Sequence, residues 1–140
     1  MATTLKKGPL QVSITETYTL NGREQSVKTD TVYDDIRQAS SRIVTIPTTP
    51  GIDVLDFAGT IGAGNAGEYV DADVRYLRIT NLDDTNFITV DTEGTPAIPA
   101  TSVTAGSSFI LTDLTGITGV TIIADTAACD VEIFIASVEA

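Results

Sequence analysis

The sequence predicts an all-β protein, with antiparallel strands arranged as a sandwich or barrel. Three observations carry this. Nearly every periodic stretch alternates apolar and polar residues with a period of two. Threonine occurs 23 times beside abundant valine and isoleucine, side chains that fit a pleated surface and lose rotamer freedom in helices. The apolar runs also recur mostly at intervals of eleven or twelve residues, with turn-forming clusters between them, which is the rhythm of sandwiches and barrels rather than of alternating βα units.

The elements follow from these signals in chain order. Residues 1–9 form a short cationic arm, with Leu5, Lys6 and Lys7 ahead of Gly8-Pro9, and residues 10–140 form one domain. The arm is either a loose terminus or a tether reaching an acidic patch on a neighbour. Leu10, Val12 and Ile14 alternate with Gln11, Ser13 and Thr15, and Asn21-Gly22 supplies the two residues that accept positive φ in a type I′ turn, so residues 10–33 read as a hairpin. Val32 to Ser40 offers one short turn of helix. Further strands are expected at Ser41 to Ile46, Ile52 to Phe57, Arg75 to Asn81, Phe87 to Asp91, Ser107 to Thr112, Gly119 to Ala124 and Val131 to Val138. Two wider gaps, the glycine-rich Ala58 to Gly67 and the stretch Gly94 to Ala105 with Pro96 and Pro99, read as loops. No apolar run has signal-peptide length, and none approaches the roughly twenty residues that span a bilayer; a soluble chain without a secretory signal is expected.

Charge narrows the partners. Of 19 acidic and 8 basic side chains, residues 1–43 hold five acidic and six basic, while residues 44–140 hold fourteen acidic and two basic. Such an acidic exterior repels nucleic-acid phosphate and anionic lipid, so neither nucleic acid nor membrane is an expected partner. It serves solubility, or docking on a basic partner.

Missing residues narrow the chemistry. With no histidine, Ser-His-Asp and Cys-His nucleophiles, histidine metal sites and imidazole acid–base catalysis are excluded, and a single cysteine, Cys129, excludes an internal disulfide. Gly62, Gly64 and Gly67 match G-x-G-x-x-G, but Glu68, Asp71 and Asp73 follow where a phosphate would sit and no helical pattern comes after them. The acidic pairs Asp71/Asp73, Asp83/Asp84 and Asp91/Glu93 lie near strand ends, and their spacing matches no calcium loop; Asp and Asn also favour turns by bonding their own backbone. A glycosidase would need two carboxylates in a cleft, usually with sugar-stacking aromatics, and the chain has no tryptophan. No catalytic, cofactor-binding or metal-ligating residue is expected, and no cofactor. The chain reads as a non-enzyme, with a carboxylate-dependent hydrolase as the enzymatic alternative.

The last strand is apolar on both faces, with Val131, Ile133 and Ile135 on one and Phe134, Ala136 and Val138 on the other. It is therefore covered on both sides, either within the domain or by another subunit, which makes Phe134, Ala136 and Val138 interface candidates together with Leu5, Lys6 and Lys7.

The stretch Val74-Arg-Tyr-Leu-Arg-Ile-Thr-Asn-Leu-Asp-Asp-Thr-Asn-Phe-Ile-Thr-Val90 resembles small virion proteins of tailed bacteriophages, particularly head decoration or cement proteins. Val12-Ser-Ile-Thr-Glu16, Arg42-Ile-Val-Thr-Ile-Pro47 and Ala105-Gly-Ser-Ser-Phe-Ile-Leu111 share the likeness, which spreads over most of the chain and includes no catalytic motif. The resemblance implies an all-β, single-domain, antiparallel β-sandwich of jelly-roll type. It implies a homotrimer that bridges neighbouring major capsid protein subunits on the virion surface after synthesis in the host cytoplasm. Bridging contacts that exist only in the assembled shell raise the cost of opening it, and a trimer gains effective concentration for its second and third contacts. The alternative is a receptor- or carbohydrate-binding module of a tail or fibre, which Tyr18, Tyr33, Tyr69 and Tyr76 gathered over one groove would favour. The glycine-rich insert from Ala58 to Asp73 is longer than the pattern leads one to expect.

Overall fold

A computed structural model describes residues 7–57, 69, 71–94 and 99–138. Strand β1 (Gly8–Leu20) pairs with β2 (Arg23–Ile36) in a two-stranded sheet of its own. Eight further strands follow: β3 (Gln38–Ile46), β4 (Ile52–Asp56), β5 (Val74–Asn81), β6 (Ile88–Gly94), β7 (Thr101–Val103), β8 (Ser108–Leu111), β9 (Ile117–Ala124) and β10 (Cys129–Ser137). They form two four-stranded sheets, ordered β3-β10-β5-β8 and β4-β9-β6-β7, and every ladder is antiparallel.

The order follows one rule. Strand β3 pairs with β10, β4 with β9, β5 with β8 and β6 with β7. The chain is thus one long antiparallel ribbon, turned between β6 and β7, with successive rungs falling alternately into opposite sheets. That nested pairing is a jelly roll, and the sandwich with jelly-roll topology is the fold.

The period-two pattern decides which face is dry. Val131, Ile133 and Ile135 of β10, Leu77 and Ile79 of β5, Ile88 and Val90 of β6, and Val120, Ile122 and Ala124 of β9 meet between the sheets. Each such aliphatic side chain contributes about 1.5–3 kcal/mol by leaving water. Strand β4 breaks the alternation, since Val54 and Leu55 are both buried. Its register with β9 slips between Asp53 and Leu55, and this bulge turns two consecutive residues inward. Asn81 is the buried polar residue at the end of β5. Its Nδ2 donates to the carbonyls of Asn86 (2.9 Å) and Val103 (3.1 Å), and its Oδ1 accepts the Asp83 N–H (3.0 Å), so the turn into β6 is held from within. At Gly94, where φ is +127°, an added Cβ would lie 2.1 Å from the Gly116 carbonyl oxygen, so only glycine fits that crossing.

Two sequence expectations need correction. The short helix expected over Val32 to Ser40 is strand instead, with β2 running to Ile36 and β3 starting at Gln38. Its backbone is committed to ladders on both sides: Ile36 pairs with Gly8, and the Arg37 N–H donates to Ser137 O at 2.9 Å. Asp34 and Asp35 together face Pro9 at an irregularity in the register, and Asp35 adopts φ +62° there. The second is the Gly94 to Ala105 stretch, which contains the short strand β7 as well as loop. The glycine motif at Gly62, Gly64 and Gly67 lies outside the described residues, while Tyr69 is buried in the core and Asp71–Asp73 form one 3₁₀ turn.

Candidate interface site

The outer face of the β3-β10-β5-β8 sheet is where apolar and aromatic residues meet the surface. The registers place Ala39, Ser41, Ile43 and Thr45 of β3 beside Ala136, Phe134, Glu132 and Asp130 of β10. Across β10 stand Tyr76, Arg78 and Thr80 of β5, and beyond them Ile110 and Ser108 of β8. Tyr76 is 5% exposed and its ring centroid lies 5.9 Å from that of Phe134, edge to face. Arg78 stands 5.9 Å above the Phe134 ring, bonds the Glu132 carboxylate at 2.7 Å and donates to Thr80 Oγ1. Its charge is thereby fixed in place over an apolar floor.

The hairpin covers part of this face. Asn21 (φ +52°) and Gly22 (φ +76°) form the expected turn, and the pairing runs from Leu20↔Arg23 back to Leu10↔Tyr33. One face of the ribbon therefore carries Leu10, Val12, Ile14, Glu16, Tyr18 and Leu20 with Tyr33, Val27 and Arg23; the other is polar apart from Val32. Tyr33 reaches Tyr76 at 5.9 Å between centroids. Between the hairpin base and the sheet lies an open groove of about 350 Å³, lined by Leu10, Val12, Ile14, Tyr76, Ile110 and Phe134 among others. Past the groove the ribbon leaves the sandwich, and residues 13–32 are all exposed.

The interface candidates fall in different places. Phe134 and Ala136 lie on the outer face, Ala136 fully buried beside Tyr76 and Phe134 half-buried under Arg78. Val138 follows the end of β10, half-buried, with its N–H donating to Asp73 O at 3.0 Å. Lys7 sits at the hairpin base, 4.0 Å from Asp35. Leu5 and Lys6 lie outside the described residues. Ile110 and Ile43 join this face although the sequence does not single them out; Tyr76 is one of the four tyrosines named above. The signal was present in β5 and β8, where Tyr76 and Ile110 occupy the alternate positions that the pattern assigns to water.

The other candidates act locally. Asp83 Oδ2 accepts the backbone N–H groups of Thr85 (3.0 Å) and Asn86 (2.6 Å), which holds its carboxyl below the usual carboxylate range. Asp71 Oδ2 accepts the Gly116 N–H at 2.7 Å, and Asp84 Oδ1 accepts the Thr85 hydroxyl at 2.9 Å. Thr121 Oγ1 donates to Asp53 at 2.6 Å, and Glu93 Oε1 lies 3.5 Å from the same hydroxyl. Among the described residues no group of three or more acidic or cysteine side chains is placed to hold a metal ion. Cys129 is buried against the carbonyls of Ala127 and Asn86, and burial pushes its thiol pKa up. The tyrosines separate: Tyr69 is in the core with its hydroxyl 2.7 Å from Ser40 Oγ, Tyr18 is on the outer hairpin, and Tyr33 pairs with Tyr76. No helix among the described residues is long and apolar enough to cross a membrane.

No protein-family model matches the chain, and no curated protein does. Among solved structures it is similar to a chain of the work described as "Bacillus endospore appendages form a novel family of disulfide-linked pili", at 14% identity and a TM-score of 0.36, over 98% of this chain and 94% of that one. What stands is an all-β jelly-roll sandwich carrying a protruding hairpin above a partly covered aromatic face.

Proposed function

We propose that this chain is a non-enzymatic structural protein that bridges subunits of an ordered assembly. In the specific form that the sequence resemblance implies, it is a phage head decoration protein, a homotrimer cementing neighbouring major capsid protein subunits. One observation supports bridging above the others: a hairpin whose residues 13–32 are all exposed, with an apolar face that is covered at its base and bare beyond. A two-stranded ribbon is marginal alone in water, so such an arm is stabilised by what it reaches. The acidic exterior and the absence of histidine fit a component that neither titrates nor reacts near neutral pH.

The test is co-sedimentation of the purified protein with undecorated heads, together with the temperature at which the heads open. Saturable binding with a raised opening temperature is the expected result. Absence from heads with binding to tails or to glycans would overturn the decoration role in favour of the tail or fibre module.

A further inference from the structure

We infer that the outer half of the hairpin is an intersubunit arm, whose apolar face seats on the uncovered β3–β10 part of the outer face of a second copy. This deepens the self-association in the decoration reading by naming the two surfaces that meet, and it stands whether or not the copies bind a head.

Reach comes first. Leu20 lies ten residues beyond Leu10, roughly 33 Å at the rise of an extended strand, so an arm that leaves the sandwich at the groove cannot lay its tip on its own sheet. Continuity of the pattern comes second. The ribbon face that presents Leu10 and Val12 to the chain's own outer sheet goes on to present Ile14, Tyr18, Leu20 and Val27 to solvent. The apolar face of the ribbon thus continues past the part that its own sheet covers.

The acceptor is the remainder of that same kind of surface. Ile43 is 64% exposed on the edge strand β3 and lies outside the groove under the chain's own hairpin. Its cross-strand partner is Glu132, and Thr45 beside it pairs with Asp130. The tip pairs Leu20 with Arg23, which has no carboxylate partner among the described residues. Arg78 already holds Glu132 at 2.7 Å, so the exposed Asp130 carboxylate is the one left to meet Arg23 when Leu20 seats beside Ile43. Sandwich-to-sandwich contact would instead bring together two domains with fourteen acidic and three basic side chains each, which repel. Area sets the strength. The outer half, from Ile14 to Leu20, is roughly 20 Å long and about 10 Å wide and covers roughly 200 Å², so a copy that gives one arm and accepts another buries roughly 400 Å², half the ~800 Å² per partner of a standard interface, and the association is weak and concentration-dependent.

The experiment uses the full chain, whose single cysteine is buried. Leu20→Cys and Ile43→Cys are made separately, mixed and mildly oxidised, and products are read by mass. The expected product is the mixed disulfide, together with a wild-type solution mass above the monomer by light scattering. Leu20→Asp with Val27→Asp is expected to weaken self-association about tenfold or more, whereas Thr17→Asp with Thr19→Asp, on the opposite ribbon face, leaves it unchanged. Ile43→Glu repeats the loss from the acceptor side, with thermal melting of each variant as the control for folding. A wild type that is monomeric at every concentration, Leu20→Cys linked only to itself, or an oligomer indifferent to the Leu20 and Val27 changes would overturn the inference. A protein that self-associates as expected but ignores heads would leave the arm intact and remove the decoration role.

Discussion

The ring of Tyr33, on the hairpin, lies 5.9 Å from the ring of Tyr76, on the sandwich, tilted by 48°. This is the aromatic joint between the two sheets, and Phe134 extends it at 5.9 Å on the far side of Tyr76. The two tyrosines should differ in what their loss does. Tyr76 is buried between Phe134 and Tyr33, so Tyr76→Ala removes packing from both and should cost about 2–4 kcal/mol in urea unfolding. Tyr33→Ala removes one half-buried partner and should cost about 1 kcal/mol, while amide exchange across Leu10 and Val12 rises sharply as the arm loosens. Equal losses of global stability from both changes would show that the joint does not depend on Tyr76 as its centre.

Sheet facing gives a second prediction. Ile133 and Ile43 belong to neighbouring strands of one sheet, with Ile133 turned into the core and Ile43 turned out. Ile133→Ala should therefore destabilise the fold by about 2–5 kcal/mol, through lost burial plus the cavity left behind. Ile43→Ala should change stability by less than about 0.5 kcal/mol in the isolated chain. Denaturant midpoints of the two variants, with unchanged slopes and at concentrations low enough for the chain to be monomeric, check this. A large loss at Ile43 in the monomer would mean that its own chain packs against it.

How far these features are legible in the sequence depends on their range along the chain. The hairpin is legible because its signals are local: Leu10, Val12 and Ile14 alternate with polar residues, and Asn21-Gly22 names the turn. The core strands are legible for the same reason. The nested order is not, because pairing Cys129 with Ile46, or Ile88 with Ala124, joins residues far apart and leaves no local trace. Val32 to Ser40 reads as a turn of helix, whereas Asp34-Asp35 is an irregularity in the ladder that the proline at position 9, lacking an N–H, tolerates. Strand β7 has three residues in a proline-containing stretch, too few to show a period. On the outer face, Phe134 and Ala136 are legible through the two-sided apolar pattern of the last strand, and Tyr76 as one of four tyrosines. Ile43 is not, because the facing of its strand is undecided until the partner strand is known.

Titration supplies the last prediction. Two backbone N–H groups hold the Asp83 carboxyl below its ordinary value of 3.8, and the Thr115 N–H does the same for Asp113. A carboxyl whose pKa is lower folded than unfolded contributes stability above the unfolded value and loses it as pH falls through the folded one, so this limb lies below about pH 4. Tyr76 moves the other way. Burial raises its pKa above the ordinary 10.0, although the Arg78 charge opposes this. Burial likewise raises the Cys129 thiol above its ordinary 9.0. A group held protonated by folding contributes stability that is complete below the unfolded value and lost as pH rises through the folded one, which puts the alkaline limb above about pH 9. With no histidine in the chain, these groups leave stability level between the limbs. Urea midpoints from pH 2 to 11 should therefore trace a broad plateau, as the order of these pKa values requires. Asp83→Asn should shrink the acid limb alone, and Tyr76→Phe the alkaline limb alone. A midpoint that changes steadily through pH 6–8 in the wild type would contradict this assignment.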